Sequence, residues 1–144
     1  MTARRFGALL LLAGAAALGG CGGGPPVAEV TGTVRSNGQP LEKIQVEFWP
    51  LQDGPKSVGV TDAQGRYALL IDGSRPGAVV GRHKVILRDV GVLGDTFLGR
   101  AGESVDMTKG RKPRVGAAYT DPQRTPVEKA VTAGKNDIDI DVAP

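Results

Sequence analysis

Apolar and polar residues alternate with a period of two in several short stretches from residue 27 onward. This alternation is typical of β-strands that bury one face, and no window shows the spacing of an amphipathic helix over three turns. Strands are expected at 30–35, 44–49, 67–71, 83–88 and 137–142, with weaker ones at 57–61 and 127–132. Leu70 makes the third stretch apolar on both faces.

Clusters of turn-forming residues separate these stretches. They lie at 36–38, 52–55, 62–65, 72–74 and 133–136. Their Gly, Asn, Asp and Ser residues favour tight turns because they accept positive φ or bond to the local backbone. Seven short strands punctuated in this way predict an all-β fold, an antiparallel β-sandwich of immunoglobulin-like size. We assign the sandwich domain to 27–144.

A long connection at 91–117 does not fit the alternation. It is rich in glycine and contains the basic run 109–114. Connections of this length are usually functional or disordered. We favour disorder and keep a binding loop as the alternative, since the segment has apolar residues that could fold back on the sheet, namely Val92, Leu93, Phe97 and Leu98.

Composition narrows the chemistry that the chain can perform. The 144 residues include 22 Gly and 10 Pro, too many for a mostly helical protein. A single His and a single Cys exclude a Cys2His2 zinc site and a disulfide framework. Aromatic residues make up only 4%, so extensive stacking surfaces for bases or sugars are not expected.

The first twenty residues have the organisation of an export signal. Arg4 and Arg5 precede an apolar run of 13 residues, Phe6 to Leu18, which is too short to span a bilayer. The sequence Leu-Gly-Gly-Cys at 18–21 follows and resembles the lipobox of bacterial lipoproteins. That resemblance implies cleavage before Cys21 and acylation of its thiol. The sequence therefore predicts a signal peptide at 1–20 and a lipid attachment site at Cys21.

Removal of the signal changes the charge balance and leaves a short tether. Without Arg4 and Arg5 the chain has 16 basic and 15 acidic residues, which gives no support to nucleic-acid binding. The lipidated Cys and the Gly/Pro stretch at 21–26 hold the domain near the membrane, because five residues reach at most about 17 Å. Gly22 follows the Cys where an Asp would retain a lipoprotein in the inner membrane, so the resemblance implies the outer membrane.

Three segments of the chain resemble the carboxypeptidase regulatory-like domain, a transthyretin-like sandwich. They are Val-Thr-Gly-Thr-Val at 30–34, Asn-Gly-Gln-Pro-Leu at 37–41 and Thr-Asp-Ala-Gln-Gly-Arg-Tyr-Ala-Leu at 61–69. The match covers 28–89, while 118–127 is similar to a closing segment in a subgroup of small bacterial lipoproteins with this domain, and 134–142 to the final strand of that subgroup. The resemblance implies a transthyretin-like fold and leaves the ligand open.

A turn motif within this resemblance has a structural explanation. Asp62 can accept backbone N–H groups, Gly65 can supply positive φ, and Tyr67 can bury its ring in the next strand. A catalytic role for these three residues is not required to explain them.

We find no catalytic, cofactor or metal site in the sequence. His83 lies in a predicted strand without a partner for general acid–base work. The hydroxyisourate hydrolases of transthyretin-like fold depend on several His and a C-terminal Tyr-Arg-Gly-Ser, and both are missing here. Asp137, Asp139 and Asp141 should share one exposed face at about 6.6 Å spacing, too wide for one small ion.

The remaining function class is a binding or structural module at the bacterial envelope. Its expected partners are the membrane, through the lipid anchor, and envelope proteins or glycans, without nucleic acid. The basic residues Lys109, Arg111, Lys112 and Arg114 could contact anionic headgroups or polysaccharide, although a solvated loop explains them as well. The alternative is a carbohydrate-binding or adhesion module, in which Trp49 would stack on a sugar.

Overall fold

The computed structural model describes residues 23–92, 96–98, 104–106 and 112–143, which form two six-stranded sheets and a separate hairpin. In the first sheet a long central strand pairs with all the others, and its members are β1 (Val27–Ser36), β2 (Gln39–Pro40), β5 (Arg66–Ala68), β8 (Ala78–Val79), β13 (Lys135–Asp137) and β14 (Ile140–Val142). The second sheet runs in the order β12 (Glu128–Val131), β9 (Gly81–Asp89), β3 (Ile44–Pro50), β4 (Ser57–Val60), β6 (Leu70–Ile71) and β7 (Arg75–Pro76).

The core lies between the two sheets and follows the alternation of the sequence. In β1 every second residue is buried from Ala28 to Val34. Phe48 of β3 packs on Tyr67 of β5 across the gap, with ring centroids 6.5 Å apart. Buried residues from both sheets form one apolar cluster, which confirms the predicted all-β sandwich.

The parallel pairings of β13 and β14 with β1 depart from the antiparallel prediction. Val30 pairs with Asn136, and Val34 pairs with Ile140, both in parallel register. The chain arrives at β13 from β12 in the opposite sheet, and such a crossover allows a strand to enter parallel to its neighbour. The other pairings between the described strands are antiparallel.

The predicted strand at 67–71 is divided between the two sheets. Ala68 pairs with Thr31 of β1, whereas Leu70 pairs with Val58 of β4. The chain therefore crosses the sandwich at Leu69, and this crossing explains why the stretch is apolar on both faces. A Cβ at Gly59 would overlap the Ala68 carbonyl, so the close approach of β4 to the crossing needs a glycine.

The predicted strand at 137–142 is interrupted by a side chain. The Asp139 carboxylate accepts hydrogen bonds from the Thr33 backbone N (2.8 Å) and Oγ1 (2.6 Å), which displaces the backbone pairing at that point. The ladder resumes at Ile140.

The long connection at 91–117 is partly regular. It contains the antiparallel hairpin β10 (Thr96–Leu98) and β11 (Ser104–Asp106), and it ends in a 3₁₀ helix at Ala117–Thr120. At the end of the connection, where Arg114 is hydrogen-bonded to Asp89 and Val115 is buried, disorder is the wrong description. Val115 and Tyr119 belong to the apolar cluster, so the end of the connection is anchored in the core.

Candidate binding site at the distal end

The two ends of the sandwich are distinguished by where the chain enters. At the end that we call the tether end, the Pro26 carbonyl accepts a hydrogen bond from Val80 N (2.8 Å), and Leu51 N donates to the Arg82 carbonyl (2.9 Å). The ten-residue strand β1 leads from there to the opposite or distal end, about 30 Å away. The distal end includes the turn at 37–38, the bend at 42–43 and the end of β9.

Lys43 has an unusual backbone conformation at the distal end. Its φ of +58° is in the left-handed region that residues with a Cβ rarely adopt. Its N–H donates to the Thr61 carbonyl (3.0 Å), and its carbonyl accepts from Val90 N (3.1 Å) and Gly91 N (3.2 Å). These three hydrogen bonds hold the strained residue in place, which is the condition under which such strain persists.

A buried ion pair joins the end of β9 to the returning connection. The Asp89 side chain is only 1% exposed and receives a two-pronged contact from Arg114, with Nε–Oδ2 at 2.8 Å and Nη2–Oδ1 at 2.7 Å. Arg114 N also donates to Oδ2 (3.0 Å). Burial raises the pKa of Asp89, but the hydrogen bonds and charge of Arg114 outweigh it, so the pKa lies below its ordinary value.

These features border an open cavity of about 460 Å³ at the distal end. Three cationic side chains and one carboxylate contribute to its lining, which consists of Glu42, Lys43, Gly91, Val92, Lys112 and Arg114. Arg114 Nη2 also donates to the Glu42 carbonyl (2.8 Å), so the same guanidinium fixes the wall of the cavity. Residues from both ends of the 91–117 connection meet here.

The turn motif is built as a local structural unit. Asp62 Oδ1 accepts hydrogen bonds from Gln64 N and Arg66 N, both at 2.9 Å, and these bonds lower the pKa of Asp62. Gly65 has a φ of +73°. Tyr67 is buried, and its hydroxyl donates to the Ile138 carbonyl (2.6 Å), while burial raises its pKa. The three motif residues do not line the distal cavity.

His83 is sealed inside the sandwich. Its ring is fully buried, 5.6 Å from the Phe48 ring, and its Nδ1 lies 3.1 Å from the Gly81 carbonyl. Burial lowers the pKa of His83, and the contact with the carbonyl offsets this only in part. A side chain in this position does not face a substrate in solution.

The acidic residues of the last two strands are exposed, and one of them is used structurally. Asp137 and Asp141 face solvent, whereas Asp139 caps Thr33 and lies 3.9 Å from Arg35. In the part of the chain that the structure describes, no three His, Cys, Asp or Glu side chains are grouped as metal ligands would be.

A buried carboxylate that the sequence pattern did not predict organises the outer face of the second sheet. Glu47, with a side chain 3% exposed, accepts hydrogen bonds from Gln45 Nε2 (2.7 Å), Trp49 Nε1 (2.9 Å), Lys56 Nζ (3.1 Å) and Arg88 Nε (3.1 Å). Burial raises the pKa of Glu47, but the four donors hold it below its ordinary value. The available signal was a glutamate flanked by apolar residues in a strand.

Trp49 is held firmly at the edge of this cluster. Its side chain remains 37% exposed, with the Lys56 ammonium 4.9 Å from the ring centroid. Trp49 is therefore half-packed, and one polar edge and one cation are already engaged by the protein.

Several predicted features fall outside the described residues. Cys21, the signal at 1–20, Lys109 and Arg111 are among them. Of the basic run, Arg114 is engaged by Asp89, and Lys112 is exposed at the cavity. None of the helices in the described segments has the length and apolar character needed to cross a membrane.

No protein-family model and no curated protein matches the chain. It is similar to a DUF3823 family protein from Parabacteroides merdae, whose crystal structure aligns with a TM-score of 0.41 at 16% sequence identity. The alignment covers 84% of this chain and 48% of the other, so the chain spans about half the length of that protein.

Proposed function

We propose that this chain is a bacterial envelope lipoprotein whose sandwich is a non-catalytic binding module, with the distal cavity as its binding site. The observation that carries this proposal is the separation between the tether and the cavity. They lie at opposite ends of β1, about 30 Å apart. A protein held by its N-terminus would present the cavity away from the membrane.

The anchor in this proposal is a lipid on Cys21. Its support is the lipobox-like sequence at 18–21 and the short stretch that separates it from β1. Two or three acyl chains give stable anchoring because each buried CH2 contributes about 0.8 kcal/mol. Gly22 favours the outer membrane as the destination.

The module in this proposal is of the carboxypeptidase regulatory-like type. Its support is the order of the three motifs at 30–34, 37–41 and 61–69. Residues of two of these motifs also contact the same backbone group. A Cβ at Gly32 would overlap the Ile138 carbonyl, which is the same group that the Tyr67 hydroxyl bonds. Gly32 and Tyr67, which belong to separate motifs, thus both position the segment that contains Ile138.

The absence of catalysis in this proposal rests on where the reactive groups lie. The lone His is buried, Glu47 and Asp89 are saturated by donors, and the lone Cys is assigned to acylation. Nucleophilic or general-base chemistry needs an accessible group within reach of substrate. Turnover of an ester, peptide or glycoside that is lost in a His83→Ala variant of unchanged stability would contradict this part.

Site-specific photo-crosslinking in intact cells tests the binding role. A photoreactive residue replaces Lys112 at the cavity or, as the control, Ser74 at the tether end, which is also exposed. We expect a protein or glycan adduct at position 112 that is lost with Lys43→Glu, and no such adduct at position 74, where lipid is the only expected neighbour. An adduct pattern that is the same at both positions would contradict the distal site.

Carbohydrate binding is the second candidate, and the exposure of Trp49 favours it. An indole that is 37% exposed and fixed by Glu47 could stack on a sugar without losing conformational freedom. Affinity for cell-wall glycans that disappears in Trp49→Ala, but not in Lys112→Ala, would support this candidate over the distal cavity.

A further inference from the structure

We propose that the tether end of the sandwich lies against the bilayer, with Trp49 and Leu51 in the lipid headgroup layer. This inference rests on the lipid anchor of the proposed function. In this arrangement the folded domain contacts the membrane with a surface of its own, in addition to the acyl chains.

The tether leaves the domain in a fixed position. Pro26 is bonded to Val80 N, and Pro25 packs beside Gly54, where an added Cβ would lie 3.6 Å from Pro25 Cγ. Only four peptide steps separate Pro25 from Cys21, and they reach at most about 14 Å. The headgroup layer occupies about 5–7 Å on each side of a bilayer, so the loop at 51–55 must lie close to it.

Among the residues whose exposure the structure describes, two of the three exposed large apolar side chains lie near this exit. Leu51 is 50% exposed and Trp49 is 37% exposed. Trp49 precedes the loop at 51–55 that contacts Pro25, and Leu51 is the first residue of that loop. Trp49 presents an apolar ring with a hydrogen-bonded polar edge, the character that enriches Trp at membrane interfaces. The third exposed apolar residue of the described segments, Val60, pairs with Gln45 toward the distal end of the same sheet.

The charges at the tether end indicate an apolar rather than an electrostatic contact. Lys56 is paired with Glu47, and Arg82 is paired with Glu128. Arg75 is exposed at this end, as are the carboxylates Asp53 and Asp72 of its loops. Positive and negative groups are therefore balanced, so docking should depend little on anionic lipid.

The two described basic residues of the 91–117 connection, Lys112 and Arg114, are not part of this contact. Lys112 and Arg114 lie at the distal end, where Arg114 is held by Asp89. A membrane contact through them would require the domain to lie on the end opposite its own anchor. The tether geometry instead assigns the membrane to the end that carries Leu51.

Fluorescence quenching of the single Trp tests the docking. The acylated full chain is incorporated into vesicles of phosphatidylcholine brominated near the headgroup, and the emission is compared with that in unbrominated vesicles. Because Trp49 is the only Trp, the signal reports one position. Interfacial insertion by about 5–10 Å should reduce the emission about twofold. Adding anionic lipid should change this little.

Two matched variants separate insertion from mere proximity. Leu51→Gln removes the apolar contact at the tether end and should restore most of the emission. Val60→Gln changes an equally exposed residue farther along the same sheet and should leave the quenching unchanged. Equal quenching in wild type and Leu51→Gln would overturn the docking.

Vesicle flotation distinguishes failure of this inference from failure of the proposed anchor. If the chain floats with vesicles and Trp49 is not quenched, the docking is wrong and the anchor stands. If the chain purified from its own envelope does not float, the lipid anchor is wrong, and the docking falls with it. Emission that responds to cell-wall glycan instead of brominated lipid would overturn the docking in favour of sugar binding.

Discussion

Two glycines with nearly equal backbone angles differ sharply in their surroundings. Gly65 has a φ of +73° and Gly38 a φ of +76°, but only Gly65 is crowded. A Cβ there would lie 2.8 Å from the Val34 carbonyl oxygen and 2.9 Å from Pro40 Cβ, whereas nothing lies within 4 Å at Gly38. The cost of a side chain in the left-handed backbone can thus be measured separately from the cost of steric overlap, at two positions of the same protein.

Valine substitution at the two positions should give unequal losses of stability. Gly38→Val should cost about 1–2 kcal/mol from the left-handed backbone alone. Gly65→Val should cost about 1–3 kcal/mol more because its neighbours must move. Urea unfolding of both variants measures the difference. Equal unfolding midpoints for the two variants would show that the neighbours of position 65 move aside without a loss of stability.

His83 should make stability depend on pH in a narrow window. Because burial holds its pKa in the folded chain below the ordinary value of 6.5, the unfolded chain takes up the proton first as the pH falls. Stability is therefore full above about pH 6.5 and decreases as the pH falls toward the folded-state pKa. The melting temperature should drop between pH 7 and pH 5.

A His83→Leu variant provides the control for this pH effect. It removes the titrating ring, so its melting temperature should change less than that of wild type over the same interval. The comparison stops at pH 5 because the carboxylates that the fold stabilises titrate at lower pH. Parallel curves for the two proteins would assign the pH dependence to another group.

At the scale of elements, Arg114 fixes the end of the 91–117 connection to the sandwich. Arg114→Ala would leave the Asp89 carboxylate, which is 1% exposed, without its partner. Breaking a buried pair costs about 3–5 kcal/mol, and the partly exposed guanidinium reduces this to about 2 kcal/mol. Denaturant unfolding measures the loss. Lys112→Ala, at an exposed neighbour, should change stability by less than about 0.5 kcal/mol.

A second variant tests whether the unpaired charge causes the loss. Adding Asp89→Asn to Arg114→Ala removes the carboxylate charge and should recover part of the stability. No recovery would mean that Arg114 acts through its contact with the Glu42 carbonyl rather than through Asp89.

The longer strands could be predicted from the sequence because each buries alternate residues against one core. The two-residue strands β2, β6, β7 and β8 are too short to show any period, and only tertiary pairing defines them. The stretch 67–71 has the pattern of a single strand because the residues on both sides of the crossing at Leu69 place apolar side chains toward the core.

The distal cavity could not be predicted because its residues are distant in sequence. Asp89 and Arg114 are 25 positions apart, and Lys43 lies on a different loop. A positive φ at a lysine leaves no trace in composition, since the strain is imposed by hydrogen bonds from Val90 and Gly91. The turn motif was accessible because Asp62 and Gly65 act locally.

At the scale of the whole molecule, the proposed anchor has a direct chemical test. Cys21→Ser should abolish labelling of the protein with a palmitate analogue in cells, since the chain has no other thiol. The variant should accumulate as an unprocessed precursor or appear as a released form. Label that persists in the serine variant would show that the lipid is attached at a residue other than Cys21.

The orientation of the domain on the membrane is the central claim, and energy transfer from the protein to the bilayer measures it most directly. A fluorophore is attached to a new cysteine at Asn37 or at Asp53 of the acylated chain, with acceptor lipids in the vesicle. These exposed positions lie at the distal and tether ends, separated by about 30 Å along β1. The account predicts strong transfer from position 53 and weak transfer from position 37. Equal transfer, or stronger transfer from position 37, would contradict a module that faces away from its anchor.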